Sequence, residues 1–255
     1  MLQEERLIRI VDFLKTNGAA KLSDLCSLNS VSIDTVRRDI DRLEKNDVIK
    51  KVHGGAVLKN NDNSQLAFDG RTINNLHAKR ELACHIPKYV SDGQTIALNS
   101  GTTNIEIARY LAENYSRLTI ITNNLRIVEI LASAKQFNII LLGGIFDVNE
   151  YSVYGKQCER DILQYNINLA VISVNALSIA KGLTDFRMNE ISIIQNMISS
   201  SEHAIVAADS SKFERIAYLN ICPLGEIDAV ITDSGLSPEI AERYAGEGVK
   251  IIYNT

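Results

Sequence analysis

The sequence predicts an α/β chain in two parts: a small three-helix head closed by a β-hairpin, then a larger, mostly parallel α/β domain. Three observations predict it. Apolar residues between 1 and 58 recur first at helical spacing and then in two short strands around His53-Gly54-Gly55. The following Asn60-Asn-Asp-Asn-Ser-Gln65 is polar and bare of apolar side chains, as an exposed connection should be. From Arg71 onward, short unbroken apolar runs alternate with helical stretches. The expected boundaries are 1–58 for the head, 59–70 for a linker and 71–255 for the larger domain.

In the head, Leu7, Ile10, Val11 and Leu14 mark an amphipathic first helix that should stop at Asn17-Gly18, where glycine suits a left-handed helix end. A short second helix, about Lys21 to Ser27, turns Leu22 and Leu25 inward, and Asn29-Ser30 makes the turn that follows. Ser32 caps a third helix by accepting from an otherwise unpaired backbone N–H. Val36, Ile40 and Leu43 then repeat at i, i+4, i+7 and bury one face. Asp34, Thr35, Arg38 and Arg42 lie outward, with Arg37 at their flank. Val48-Ile-Lys-Lys-Val52 and Ala56-Val-Leu58 read as the two strands of a wing, with both glycines supplying the positive φ of a tight hairpin.

Together these elements predict a winged helix-turn-helix that binds double-stranded DNA. The guanidinium forks of the third helix suit phosphates and guanine edges, and Lys50, Lys51 and His53 on the wing suit the sugar-phosphate backbone. The candidate DNA contacts are Ser32, Asp34, Thr35, Arg37, Arg38, Arg42, Lys50, Lys51 and His53. Any small three-helix domain shows such periodicity, and acids such as Glu4, Glu5, Asp24 and Asp47 nearly offset the basic residues of the head. What points to DNA is the clustering of Arg37, Arg38, Lys50 and Lys51.

In the larger domain, a helix is expected from Arg71 to about Tyr89, with Leu82, Ile86 and Tyr89 inward. The expected strands are Thr95–Leu98, Leu118–Ile121, Asn138–Leu142, Leu169–Val174, Ala204–Ala208 and Asp228–Thr232. Continuous apolar runs mean strands covered on both faces, hence a parallel sheet flanked by helices, with ligands beyond the carboxyl ends of the strands. Small and polar residues gather at those ends. Asn99-Ser-Gly-Thr-Thr103 precedes a helix, Gly101 permitting close backbone approach and Thr102 and Thr103 offering hydroxyls at a helix start that favours an anion. Thr122-Asn-Asn124, Gly143-Gly144 and Asp209-Ser-Ser-Lys212 follow three other strands. They suggest a pocket for a small phosphorylated molecule, Lys212 neutralising phosphate and Asn99, Asn123, Asn124 and Asp209 binding hydroxyls. Thr-Thr after Gly is also an ordinary helix start, and Asn-Asn an ordinary cap; four such elements together carry the reading.

Composition is that of a cytoplasmic protein. Of 255 residues 45% are hydrophobic, enough for two ordinary cores, and a net charge of −4 means that DNA affinity must come from local placement. Cys26, Cys84, Cys158 and Cys222 form no CxxC or Cys/His cluster, so buried free thiols are expected and no metal or cofactor. Glu4 and Glu5 stand where a signal peptide would be basic, and no run approaches the roughly 20 apolar residues of a membrane span. There is no Gly-x-Gly-x-x-Gly after a strand and no Gly-x4-Gly-Lys-Ser/Thr, so the nucleotide loops are absent.

Glu4-Glu-Arg-Leu-Ile8, Asn17-Gly18, Val31-Ser32, Thr35-Val-Arg-Arg-Asp-Ile40, Leu43-Glu44 and Val52-His-Gly-Gly-Ala56 resemble the DeoR family of bacterial transcription regulators. The resemblance continues through Arg71, Lys79, Asp92-Gly93, Ser100-Gly-Thr-Thr103, Thr122-Asn-Asn124, Leu142-Gly-Gly144, Gly155, Gly182-Leu-Thr184, Asp209-Ser-Ser-Lys-Phe213 and Ile231-Thr-Asp233, and so covers nearly the whole chain. It implies a sensor domain similar to ribose-5-phosphate isomerase and a repressor of a carbohydrate operon, assembled as a homo-oligomer and responsive to a phosphorylated sugar. By that likeness Ser100-Gly-Thr-Thr103 holds the phosphate while Asn123, Asn124 and Lys212 line the pocket; from their position in the chain alone, Arg71 and Lys79 are expected to couple it to the linker. The chain departs from the family at Cys26-Ser-Leu-Asn-Ser30, where small apolar residues and one glycine are usual. It also departs at Asn99 and Asn168, commonly aspartate, at Ser173, commonly the glycine of Phe-Ile-Gly, and at Ala176.

The alternative is a sugar-phosphate isomerase-like enzyme fused to a DNA-binding head. Isomerisation needs a general base, usually a carboxylate, over the substrate. The expected carboxylates are missing at Asn99 and Asn168, leaving Asp185 and Glu190 as substitutes that also read as ordinary helix-start acids. No catalytic residue is assigned.

Overall fold

The computed structural model of the chain describes residues 2–59, 67–134 and 136–253. It forms two compact units, Met1–Leu76 and His77–Thr255. The polar stretch 60–65, expected as a linker, lies outside the described residues.

The head runs α1 (Gln3–Asn17), β1 (Ala19–Lys21), α2 (Leu22–Asn29), α3 (Ile33–Lys45), β2 (Ile49–Val52), β3 (Gly55–Leu58) and α4 (Phe68–Ile73). Leu7, Ile10, Val11, Leu14, Leu25, Val36, Ile40 and Leu43 form its core, as their spacing predicts. Helix α1 stops at Gly18, φ 73°, whose N–H donates to Leu14 O at 2.8 Å. Strand β1 was not expected, Ala-Ala-Lys being too short to show a pattern; it pairs antiparallel with β3 in the order β1-β3-β2. Of the two hairpin glycines only Gly54 has positive φ, 76°. Gly55 is required for another reason: a Cβ there would run into the Ala20 carbonyl across the β1–β3 pair. Ser30 holds the left-handed turn after α2 at φ 53°, so the turn survives without glycine at a backbone cost of about 1 kcal/mol.

The helix expected from Arg71 to Tyr89 is broken. Asn74 is extended and Asn75 left-handed, φ 55°, between α4 and α5 (Leu76–Ala83), because asparagine tolerates that conformation. A 3₁₀ turn at Ile86–Lys88 follows, containing Pro87. Leu82 and Ile86 are buried, but Tyr89 only half so.

The larger unit continues β4 (Thr95–Leu98), α6 (Thr102–Asn114), β5 (Thr119–Thr122), α7 (Leu125–Leu131), β6 (Asn138–Leu141), β7 (Ile145–Asp147), β8 (Ser152–Tyr154) and α8 (Lys156–Ile162). Then come β9 (Ile167–Ser173), β10 (Ala176–Ser178), β11 (Gly182–Asp185), α9 (Ile191–Ser199), β12 (Ser201–Ala207), β13 (Leu219–Cys222), β14 (Ala229–Ile231), α10 (Pro238–Gly246) and β15 (Lys250–Ile252). A seven-stranded parallel sheet has the order β15-β14-β12-β9-β4-β5-β6. All six expected runs are in it; β15 is an addition. Consecutive burial along β9 shows cover on both faces, with Ala170 and Ile172 sharing a core with Ile162 of α8 and Ile193 and Met197 of α9. A small antiparallel sheet, β10-β11-β13, and the β7–β8 hairpin complete the unit.

From β4 the chain steps outward through β5 to β6, then returns to lay β9 on the other side of β4 and continues outward the opposite way. Strand order therefore reverses between β4 and β9, the kind of position at which open α/β sheets bind ligands beyond the carboxyl ends of their strands. The four cysteines are free; Cys158 and Cys222 are buried, but Cys84 is exposed, contrary to expectation. Among the described residues, no helix is long and apolar enough to cross a membrane, and no group of His, Cys, Asp and Glu is placed to hold a metal.

Candidate DNA-reading face and effector site

Helix α3 is capped as its sequence predicts: Ser32 Oγ accepts the Thr35 N–H at 3.4 Å and lies 3.1 Å from the Thr35 hydroxyl. Asp34, Arg37, Arg38 and Arg42 are exposed, and Thr35 is half-buried. Arg37 pairs with Asp34 at 3.4 Å in the open, a contact weak enough for a DNA phosphate to displace. Arg38 donates to the Asp34 carbonyl at 3.3 Å, and Arg42 to Gln3 Oε1 at 2.7 Å.

Asp39, the aspartate of Thr35-Val-Arg-Arg-Asp-Ile40, lies on the buried stripe with Val36, Ile40 and Leu43. At 1% exposure it accepts from Arg6 Nε at 2.7 Å and Nη2 at 3.1 Å, and from Gln3 Nε2 at 3.3 Å. This bolts α3 to α1 and sets the angle at which the arginines are presented.

On the wing, Lys50 and Lys51 were expected to act alike, but successive side chains of a strand point to opposite faces. The Lys51 ammonium sits between Asp41 and Glu44 of α3, 3.4 Å from the latter, and the Lys51 backbone N–H donates to Glu44 Oε1 at 2.9 Å. It braces the wing against α3. Lys50, on the other face, and His53, at the hairpin, are exposed.

In the larger unit the structure joins the ends of β4, β5 and β9. Asn99 is wholly buried: Nδ2 donates to the carbonyls of Ser100 (3.2 Å) and Ser173 (3.0 Å), and Oδ1 accepts from the Ser173 N–H (2.8 Å) and Asn104 Nδ2 (2.9 Å). Thr122 donates to the Leu98 carbonyl at 2.7 Å. Asn123 Oδ1 accepts the Ser100 N–H at 2.9 Å, while Nδ2 donates to Val153 O and the Glu190 carboxylate. Asn124 caps α7 through Oδ1 and donates to Ser100 Oγ at 2.9 Å and Glu150 O at 3.1 Å. These asparagines were expected to bind hydroxyls. A primary amide has two donor hydrogens and two acceptor lone pairs, and in Asn99 and Asn124 all four are committed to protein groups, so they build the floor.

Above that floor, Thr102 and Thr103 open α6, and Lys79 Nζ, itself 3% exposed, donates to Thr102 Oγ1 at 3.1 Å. At Gly101 the close approach is by the protein itself: a Cβ would lie 2.5 Å from Ser173 Oγ and 2.6 Å from Ser173 Cβ. Two expected elements stand further off. Gly143 and Gly144, both exposed, follow β6, two strands from β4, and Gly144 turns the chain into β7 at φ 146°. Asp209 and Lys212, both buried, follow β12, two strands away on the other side; Asp209 accepts from the Ser211 N–H at 3.1 Å and so shapes its own turn. Asn168 is at the opposite end of the sheet, accepting the Thr95 N–H at 2.9 Å, so its departure from the family pattern does not touch this site. Arg71 belongs to the head unit, where its guanidinium lies 5.6 Å from the Phe68 ring.

The two carboxylates considered as enzyme bases are both buried. Asp185, wholly covered, pairs with Arg187 at 2.7 Å, and Glu190 is 1% exposed behind Asn123. Burial alone would raise Asp185, but the charge of Arg187 and the hydrogen bonds from Arg187 and the Phe186 N–H hold it below the ordinary carboxylate value. Burial pushes Glu190 above the ordinary value, the Arg187 charge and bonds from Asn123 and Ser152 offsetting only part. Glu190 thus holds its proton more tightly folded than unfolded. The stability it contributes is complete below the ordinary glutamate range and is lost as pH rises through its raised value. Glu190→Gln is therefore expected to melt higher than the natural protein at neutral pH, the gap closing towards pH 4 in a series of thermal melts; a gap independent of pH would refute the assignment.

A winged helix-turn-helix head followed by a parallel α/β domain with a buried polar cluster at the strand reversal is the architecture of a DNA-binding regulator with a second domain. The model for the DeoR-like helix-turn-helix domain matches residues 6–62, and that for the DeoR C terminal sensor domain residues 74–234. The chain belongs to the DeoR family and is a DNA-binding transcriptional regulator. It is 31% identical over 251 residues to the HTH-type transcriptional regulator YulB of Bacillus subtilis, covering 98% of this chain and 96% of that one. It is 29% identical to the transcriptional repressor GlcR of B. subtilis, over 99% and 96% of the two chains. It is also 29% identical to the glycerol-3-phosphate regulon repressor of Escherichia coli, over 92% of each. Ribose 5-phosphate isomerase A from Methanocaldococcus jannaschii is similar over 55% of each chain at 16% identity and a TM-score of 0.41, a likeness too distant to bear on function.

Proposed function

We propose that this regulator represses a carbohydrate operon from the cytoplasm and that a phosphorylated sugar, held at Ser100–Thr103, changes its affinity for operator DNA. The observation that carries the reading is the position of this loop, at the reversal of strand order and at the start of the 13-residue helix α6. The first-turn N–H groups of a helix lack carbonyl partners within it, and its dipole favours an anion there. Lys79 brings a cation to the same hydroxyl that would meet the phosphate. A relative named as the glycerol-3-phosphate regulon repressor supports regulation of genes for a small phosphorylated carbohydrate. Thr102, Thr103 and Lys79 take the phosphate, the asparagines hold the floor, and Gly143, Gly144, Asp209 and Lys212 stand at the margins.

On the DNA side, Arg37, Arg38 and Arg42, with Thr35 and the capped start of α3, face the major groove, while Lys50 and His53 reach the backbone. A symmetric dimer would place two heads on repeated half-sites. A ligand that binds one arrangement better shifts the population and hence operator affinity.

The test is an anisotropy titration of the chain against DNA upstream of its own gene, at fixed salt because phosphate contacts make affinity salt-dependent. Specific binding should change with one phosphorylated sugar but not with the free sugar, and Thr102→Ala with Thr103→Ala should remove that response. A response that persists in the double variant removes the loop from the site.

A further inference from the structure

Ser100 opens the threonine loop, and separate segments hold each of its polar groups. Asn123 accepts its N–H, Asn124 donates to its hydroxyl, and Arg187 Nη1 joins Asn99 Nδ2 in donating to its carbonyl. Arg187 Nη2 also reaches the Ser173 carbonyl at 3.5 Å. The guanidinium therefore straddles two carbonyls, one after β4 and one ending β9, on the two sides of the strand reversal. Asp185 aims it through Oδ1 to Nε at 2.9 Å and Oδ2 to Nη2 at 2.7 Å. Asp185 is itself fixed by N–H groups of Asn175 at 3.1 Å, Phe186 at 2.8 Å and Arg187 at 3.0 Å.

In a planar trans peptide the Ser100 C=O and the Gly101 N–H point in opposite directions. Drawing the carbonyl onto Arg187 turns the Gly101 N–H away from it, immediately ahead of α6. A buried ion pair adds little net stability, because desolvation offsets its attraction. Its bidentate geometry does hold a backbone plane at a defined angle.

We propose that Arg187, aimed by Asp185, is a positioning residue for the effector: it sets the 100–101 peptide so that the amides leading into α6 converge on a phosphate. The proposal rests on the reading of Ser100–Thr103 as the phosphate site. No sequence motif signalled Arg187, and it contributes from 87 residues away along the chain.

Calorimetric titration of inorganic phosphate into the full chain tests it, with melting followed in parallel. Arg187→Lys keeps a charge beside Asp185 but lacks the fork. Asp185→Asn with Arg187→Met removes both charges, so that neither is buried alone should the lysine variant fail to fold. Both variants are expected to bind phosphate at least about tenfold more weakly, a change of about 1.4 kcal/mol, while remaining folded at the titration temperature. A purely structural role would lower the melting temperature and leave the phosphate affinity of the folded protein unchanged, and that result overturns the proposal. If Thr102→Ala with Thr103→Ala abolishes binding while the Arg187 variants retain it, the inference alone falls. If the natural chain binds no phosphate, or the threonine variant binds as well as the natural chain, the site and the inference fall together.

Discussion

Arg6→Ala is expected to cost the head about 3–5 kcal/mol, because it leaves the Asp39 carboxylate buried without its cation. Asp39 is 1% exposed and would keep only the bond from Gln3 at 3.3 Å after losing those at 2.7 and 3.1 Å. A domain of this size rarely holds more than about 3–5 kcal/mol in its core, so the loss leaves the head largely unfolded. Operator binding should then disappear, although Arg6 is not among the proposed DNA contacts. Far-UV circular dichroism and operator anisotropy on the same samples check this. Arg6→Met combined with Asp39→Leu, which removes both charges and fills the space with apolar groups, should recover the fold. An Arg6→Ala protein that melts within a degree of the natural one would show that the pair does not hold α3 on α1.

Gly101→Ala should cripple the response to effector. The φ of Gly101 is 172°, extended backbone open to any residue, so the effect is purely steric. The new Cβ would lie 2.5 Å from Ser173 Oγ and 2.6 Å from Ser173 Cβ, and one side must move. Moving the loop strains its bonds to Asn123, Asn124 and Arg187 together. Such overpacking costs about 1–3 kcal/mol, which corresponds to roughly fivefold to 150-fold in effector affinity if the loop takes the strain. Adding Ser173→Gly removes both clashing atoms and should restore the response. Titration of the effector against operator-bound protein distinguishes the outcomes: a normal response in Gly101→Ala, or no rescue by Ser173→Gly, would mean that the packing of the loop on β9 does not govern the site.

Much of the fold was legible along the chain. The buried faces of α1 and α3, the Ser32 cap, the Gly54 turn and six of the seven parallel strands follow from spacings of a few residues. The Thr102-Thr103 helix start was legible for the same reason. Strand β1 was not, because three residues carry no period and their pairing is with β3. The roles of the two wing lysines were also hidden: spacing gives alternation, but only the packed wing shows α3 acids facing Lys51.

Alone, then, the sequence determined the three helices and the wing of the head, six strands of the parallel sheet, which of their faces are apolar, and that threonines and glycine end one strand where a helix begins. These properties arise from local backbone preference and from periodic burial. Only the tertiary structure decided what each buried polar atom meets. Asn99 binds Ser173 across 74 residues, Arg187 binds Ser100 across 87, and Arg6 binds Asp39 across 33. Periodicity reports that a side chain is covered. The partner that satisfies its hydrogen bonds is set by which strand ends the topology brings side by side.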